Sequence, residues 1–385
     1  MLDKILSRAD AAAVGPMRSV WRSRDFRLLM TSEAAWLLGS RFYLIALPWL
    51  VLQLTGDALA LGTMVVLAGI PRMAFMMVGG ALSDRFSSRS LMLGANLVRT
   101  VLLALLAWLV LSGQVELWML VGFSLVYGLV EAFFFPARGA IVPSLVRRED
   151  LQMANSITVG LEQFCGLVGP LLAGLGIAWL GGSAAAAREV GLLGVGAAFA
   201  VDALVTLGSA VTLGLMTPRR PAAAAKPAEP RLDLVSSISQ VVIYVWGHRM
   251  LRMLLLIIAA VNLLTTGPLY VGLPVLAGTR LAGGAAALGL LTSALGGGAL
   301  LGTALAGALP KPAVQHLGAI FGLTLGVNGV GLVALLSTTS TAVGALAALA
   351  VGASISYINV TLVSWMQSQT PEALMGRMMS LVALK

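Results

Sequence analysis

Long apolar runs separated by brief polar breaks fill this chain. Ten of them are long enough to cross a hydrocarbon core of roughly 30 Å as helices. They lie near 28–54, 58–82, 91–112, 117–143, 152–180, 190–216, 251–277, 283–308, 316–337 and 342–367. One break differs from the rest. Residues 217–232, TPRRPAAAAKPAEPRL, are rich in Pro, Ala and charge and read as a linker. The next segment, DLVSSISQVVIYVWGHRM, is moderately apolar with a basic end, the pattern of a helix lying on a membrane surface. The organisation is therefore a basic arm at 1–27, a six-helix bundle at 28–216, a linker with an amphipathic surface helix at 217–250, and four helices with a terminal loop at 251–385.

Composition supports this all-α polytopic reading. Of 385 residues 58% are hydrophobic and 11% charged, with mean hydropathy +0.94; a soluble chain carries about 25% charged residues. The net charge of +9 does not mark a nucleic-acid binder, because the bases fall between spans rather than on one soluble face. Lys4, Arg8, Arg18, Arg22, Arg24, Arg27, the 83–90 loop, Arg147, Arg148, the linker, Lys311 and Arg377 share one side; Arg188 and Arg280 face the other. The basic side is cytoplasmic by the positive-inside rule, so both termini are expected in the cytoplasm. The arm has no apolar core and is not a cleavable signal peptide. With one cysteine, Cys165, and two histidines, the sequence offers no disulfide framework and no metal set.

Charge inside a span is costly and by default functional. It is confined to the first six spans: Glu33 and Arg41, Arg72, Arg99, Glu131 and Arg138, Glu162, and Asp202. The last four spans offer Asn262, Tyr270, Asn328, Tyr357 and Asn359 instead. Arg138 and Glu33 lie near span ends, where snorkelling toward water is the simple reading. Glu162 reads as a buried hydrogen-bond partner. For Glu131, Arg41, Arg72 and Asp202, ion pairing between helices stands beside a role in moving protons. Gly169, Pro170 and Gly174 in the fifth span, with Gly166, and the glycines of the eighth span permit either close packing or a hinge.

GALSDRFSSR, Gly80 to Arg89, resembles the loop signature G-x-L-x-D-R-x-G-R-R/K of the major facilitator superfamily. Gly80, Leu82, Asp84, Arg85 and Arg89 match, and Ser87 and Ser88 depart. The stretches Phe26–Gly56, Glu131–Val146, Glu149–Ile157 and Phe199–Ala210 are similar to its bacterial branch of drug and siderophore exporters, the enterobactin-exporter-like proteins. GPLLAG at Gly169–Gly174 loosely resembles that family's antiporter signature. The resemblance implies a major facilitator fold of twelve helices, so the second bundle is expected to lack its last two. It implies a conformational latch at Gly80, Asp84, Arg85 and Arg89. It nominates as cavity residues Glu33, Arg41, Tyr43, Tyr127, Glu131, Asn262, Tyr270, Tyr357 and Asn359. Arg41 stands where that branch often has an acid.

The expected function is proton-coupled efflux of a small, largely apolar molecule (drug, siderophore or metabolite) from a bacterial inner membrane. Glu131, with Asp202 or Glu33, would carry the proton. The energy source would be the proton gradient, with no cofactor, since no P-loop signature occurs; the partners would be the substrate and lipid, with no nucleic acid and no obligate protein. No nucleophile–base–acid grouping suggests an enzyme. The alternatives are an uptake carrier of the same fold, or a non-transporting truncated membrane protein acting as sensor or assembly partner.

Overall fold

The computed structural model describes residues 20–181, 188–217, 246–247, 252–253, 265, 267–309 and 314–369. Ten helices are followed here: α1 (Arg24–Thr55), α2 (Ala58–Arg85), α3 (Ser88–Leu111), α4 (Leu117–Leu145), α5 (Leu151–Gly181), α6 (Arg188–Gly214), α7 (Gly267–Thr279), α8 (Gly284–Ala308), α9 (Val314–Ser337) and α10 (Thr341–Gln369). Among the described residues nine helices are long and apolar enough to cross a membrane, and none of these residues forms a strand. Of the seventh predicted span, 251–277, the continuous described helix begins at Gly267; Asn262 lies outside the described residues, as does nearly all of the expected surface helix.

Local chemistry sets the helix ends. Ser23 caps α1 by accepting from the Phe26 amide at 3.3 Å. Gly56 ends α1 in the left-handed region, φ 67°, which a glycine adopts freely. The next residue, Asp57, caps α2 through the Leu59 amide at 2.8 Å. Ser87 caps α3, its hydroxyl accepting from the Ser90 amide at 3.1 Å. Proline sits inside α1, α2, α4, α5 and α7, as spanning helices tolerate.

The chain divides into two units, Met1–Ala225 and Lys226–Lys385. In the first, α1 packs on α5 and α6, α3 on α6, and α2 on α4. In the second, α8 packs on α10, with α9 also on α10 and α7 on α8. Thus α2 pairs with α4 and α8 with α10, the second and fourth of the helices followed in each unit, and glycine builds both seams. A Cβ at Gly79 would run into the Ala132 carbonyl, and one at Gly128 into the Ala68 carbonyl. In the second unit Gly298, Gly302 and Gly352 press equally closely on the carbonyls of Leu349, Ala353 and Leu295. Lipid tails are as apolar as leucine, so close backbone approach supplies the attraction that burial supplies in water. The shared pairing is what an internal repeat would produce.

Gly79, just before the matched loop signature, makes the close approach, and Gly80 within it does not; a Cβ at Gly80 would meet nothing within 4 Å. One residue turns a helix face by about 100°, so the motif glycine points away from α4.

Candidate functional site

Among the described residues, ion pairs between the spanning helices of the first unit fall into three clusters. The innermost joins α3 to α6: Arg99 Nη2 donates to Asp202 Oδ1 and Oδ2 at 3.2 and 3.3 Å, with side chains 3% and 0% exposed. Arg99 Nη1 donates to Ser40 Oγ at 3.1 Å, and Thr206 Oγ1 to Asp202 Oδ1 at 3.0 Å. Tyr127 lies under the guanidinium at 5.2 Å and stacks on Tyr43 at 4.3 Å between ring centroids. A buried pair of this kind holds together only because its polar atoms are met on several sides. Below it, Ser32, Asn96 and Ser209 form a second polar junction: Ser32 and Ser209 hydroxyls lie 2.7 Å apart, and Asn96 Nδ2 donates to Ser209 Oγ at 2.8 Å.

The second cluster joins α4 to α1 and α5. Arg138 Nε donates to Glu33 Oε2 at 2.7 Å and Nη2 to Glu162 Oε2 at 3.4 Å. Glu33 is buried, 3% exposed, and Glu162 is open, 46% exposed. Arg138 therefore does not snorkel free; it is tied to α1 and lies over Trp36 at 5.1 Å. Trp36 also takes Arg99 at 5.6 Å and stacks on Phe134 at 4.6 Å, so one indole links the two clusters. The expectation that Glu162 is buried is corrected: its position on α5 leaves it accessible.

The third cluster is looser. Arg72 on α2 faces Glu131 on α4 at 3.5 Å, the two being 40% and 18% exposed. Arg41 joins no cluster. It makes no hydrogen bond or ion pair among the described residues, and its Nε is buried without a partner. Its stem lies on Gly169 of α5, where a Cβ would come within 2.6 Å of Arg41 Cγ. Pro170 and Gly174 are buried in the same helix, which runs unbroken through them.

Arg89 acts within the first unit, donating from Nε to the Leu213 carbonyl at 2.7 Å and from Nη2 to the Gly214 carbonyl at 2.6 Å. It thereby satisfies the last carbonyls of α6. The side chains of Asp84 and Arg85 lie outside the described residues. In the second unit Tyr270 is exposed, and Tyr357 and Asn359 are half-buried. Two polar contacts escaped the sequence reading. Arg280, at the end of α7, donates to the Leu336 carbonyl near the end of α9. Asp25 in the first turn of α1 accepts from the amide and hydroxyl of Thr217 at 3.2 and 3.3 Å. The acid in a first helical turn was the signal available for Asp25.

Comparison with known proteins agrees with this architecture. Enterobactin exporter EntS of Citrobacter koseri is 28% identical over 366 residues, covering 86% of this chain and 74% of that protein. Macrolide efflux protein A of Streptococcus pyogenes is 25% identical over 155 residues, 40% of this chain and 38% of that relative's length. Among solved structures, a D-xylose-proton symporter matches with TM-score 0.70 at 16% identity, over 93% of this chain and 86% of that one. A bacterial homolog of the human lysosomal transporter Spinster matches with TM-score 0.67 at 13% identity, over 94% and 78%. These two likenesses concern the fold. The model of the Major Facilitator Superfamily matches residues 30–384, and the chain belongs to that family of multi-pass membrane transporters.

Proposed function

We propose that the protein is a proton-coupled efflux carrier of the bacterial cytoplasmic membrane, with its basic loops and both termini on the cytoplasmic side. It would export a small, largely apolar molecule by alternating access between two helix bundles. The names of the sequence relatives, a macrolide efflux protein and an enterobactin exporter, support the outward direction. No cofactor is needed in this reading; the proton gradient supplies the energy.

The observation that carries the coupling is the contrast among the carboxylates. Asp202 is sealed in a multiply bonded pair and Glu33 is held at 2.7 Å. Glu131 meets its arginine at 3.5 Å and is less closely enclosed, its side chain 18% exposed. A group that must exchange a proton in every cycle needs such a loosely held position. Glu131 is therefore the leading proton carrier, and Asp202 and Glu33 hold the bundle around it.

Proteoliposomes with an imposed pH gradient test this. Glu131→Gln should abolish gradient-driven transport while substrate binding stays measurable; Asp202→Asn and Glu33→Gln should act chiefly through stability. The coupling assignment to Glu131 fails if Glu131→Gln transports like the parent, and proton coupling by these acids fails if all three amide variants do. Reversing the gradient distinguishes efflux from uptake.

A further inference from the structure

Among Arg41, Arg72, Arg99 and Arg138, the described arginines inside the first unit's spans, Arg41 is the one without an ion pair. Arg72 pairs with Glu131, Arg99 with Asp202, and Arg138 with both Glu33 and Glu162. Arginines and carboxylates in these spans are equal in number, but Arg138 engages two acids and leaves Arg41 with none. The second unit cannot supply the missing partner from its described helices, because the sequence from 234 to 371 contains no Asp or Glu at all. Arg41 sits near the middle of the 32-residue α1, far from either helix end, so its charge cannot reach a headgroup layer easily.

The surroundings hold the side chain in place rather than quench it. Gly169 accommodates its stem, and the Cα of Gly166 faces the guanidinium, a Cβ there lying 3.8 Å from Nη2 with no other atom within 4 Å. Leu38 lies beside the Gly169 contact. Two glycines one turn apart on α5 thus form a bare shelf for one arginine, whose Nε is buried and unmet. An isolated guanidinium in so apolar a setting is costly unless an anion completes it, and its planar fork suits a carboxylate.

We propose that Arg41 is the recognition point for a negatively charged group on the transported molecule, an amphipathic organic acid with one carboxylate or similar oxyanion on an apolar body. This rests on the efflux reading above and narrows its substrate class. Glu162, one turn before Gly166 on α5, is the nearest rival, since its open side chain could leave Arg138 for Arg41.

Equilibrium binding separates this proposal from the coupling reading, because it needs no gradient. The 385-residue chain is placed in nanodiscs of neutral phosphatidylcholine, and dansylglycine is compared with its uncharged amide by fluorescence. The parent should bind the acid about ten-fold or more tightly than the amide. Arg41→Gln should erase the preference, Arg41→Lys should keep part of it, and Glu162→Gln should leave it intact. A parent preference under about two-fold, or one that survives Arg41→Gln, overturns the proposal. So does a preference that appears only in Glu162→Gln, which would show that Glu162 neutralises Arg41 in the parent. Adding anionic phosphatidylglycerol to the nanodiscs tests the source: the preference should persist, and its abolition would assign the site to a lipid headgroup and overturn the substrate role. Should Arg41→Gln fail to fold, the parent's acid-to-amide ratio and the Arg41→Lys variant still decide the matter.

Discussion

Gly39 of α1 presents its bare Cα to the carboxylate of Asp202 on α6; a Cβ added there would overlap Oδ1 and lie 2.9 Å from Val205 Cγ2. The carboxylate cannot retreat, since Arg99 and Thr206 hold it. Gly39→Ala should therefore destabilise the first unit by about 1–3 kcal/mol. Gly62→Ala, where nothing lies within 4 Å, should change stability by no more than about 1 kcal/mol and in the stabilising direction. Thermal unfolding of the purified protein in detergent compares the two.

The Arg99–Asp202 pair should behave as a unit. Asp202→Asn or Arg99→Gln alone leaves an uncompensated charge in a closed site and should cost about 3–5 kcal/mol. The combined replacement should cost clearly less than the two added together. A double-mutant cycle on denaturant unfolding measures the difference, and simple additivity would show that the two side chains act independently.

Arg138 offers a comparison inside one cluster. Glu33 is buried and bonded at 2.7 Å; Glu162 is open and 3.4 Å away. Glu33→Gln should cost about 3 kcal/mol, whereas Glu162→Gln should cost under about 1 kcal/mol. The same unfolding assay ranks them, and equal costs would contradict the assigned geometry.

In the second unit Gly302 presses on the Ala353 carbonyl, while Gly307, in the same helix, has open space around it. Gly302→Ala should force α8 and α10 apart and destabilise by about 1–3 kcal/mol. Gly307→Ala should be neutral or mildly stabilising, within about 1 kcal/mol. Protease resistance of α10 provides an independent readout.

The helices were legible in the sequence because their boundaries are local chemistry. The stretch Thr55-Gly56-Asp57 ends one helix and caps the next, and the predicted 28–54 and 58–82 became Arg24–Thr55 and Ala58–Arg85. The charged residues were legible as a set, since apolar spans make them conspicuous. Their pairing was not. Arg99 and Asp202 are separated by 103 positions, and only the packing of α3 on α6 brings them together. Rotation about a helix axis was equally hidden: nothing in the sequence distinguishes Gly79, which touches α4, from Gly80, which does not. Ser87, read as a departure from the loop signature, serves instead as the cap of α3.

Thr217, just past the end of α6, is fastened to Asp25 at the start of α1, while Arg89 at the start of α3 grips the carbonyls of Leu213 and Gly214 just before it. Two helices on opposite sides of the sequence thus anchor one helix end. Tension arriving along the segment beyond residue 217 would be borne first by those side chains and spread into α1 and α3, before it could unravel the last turn of α6.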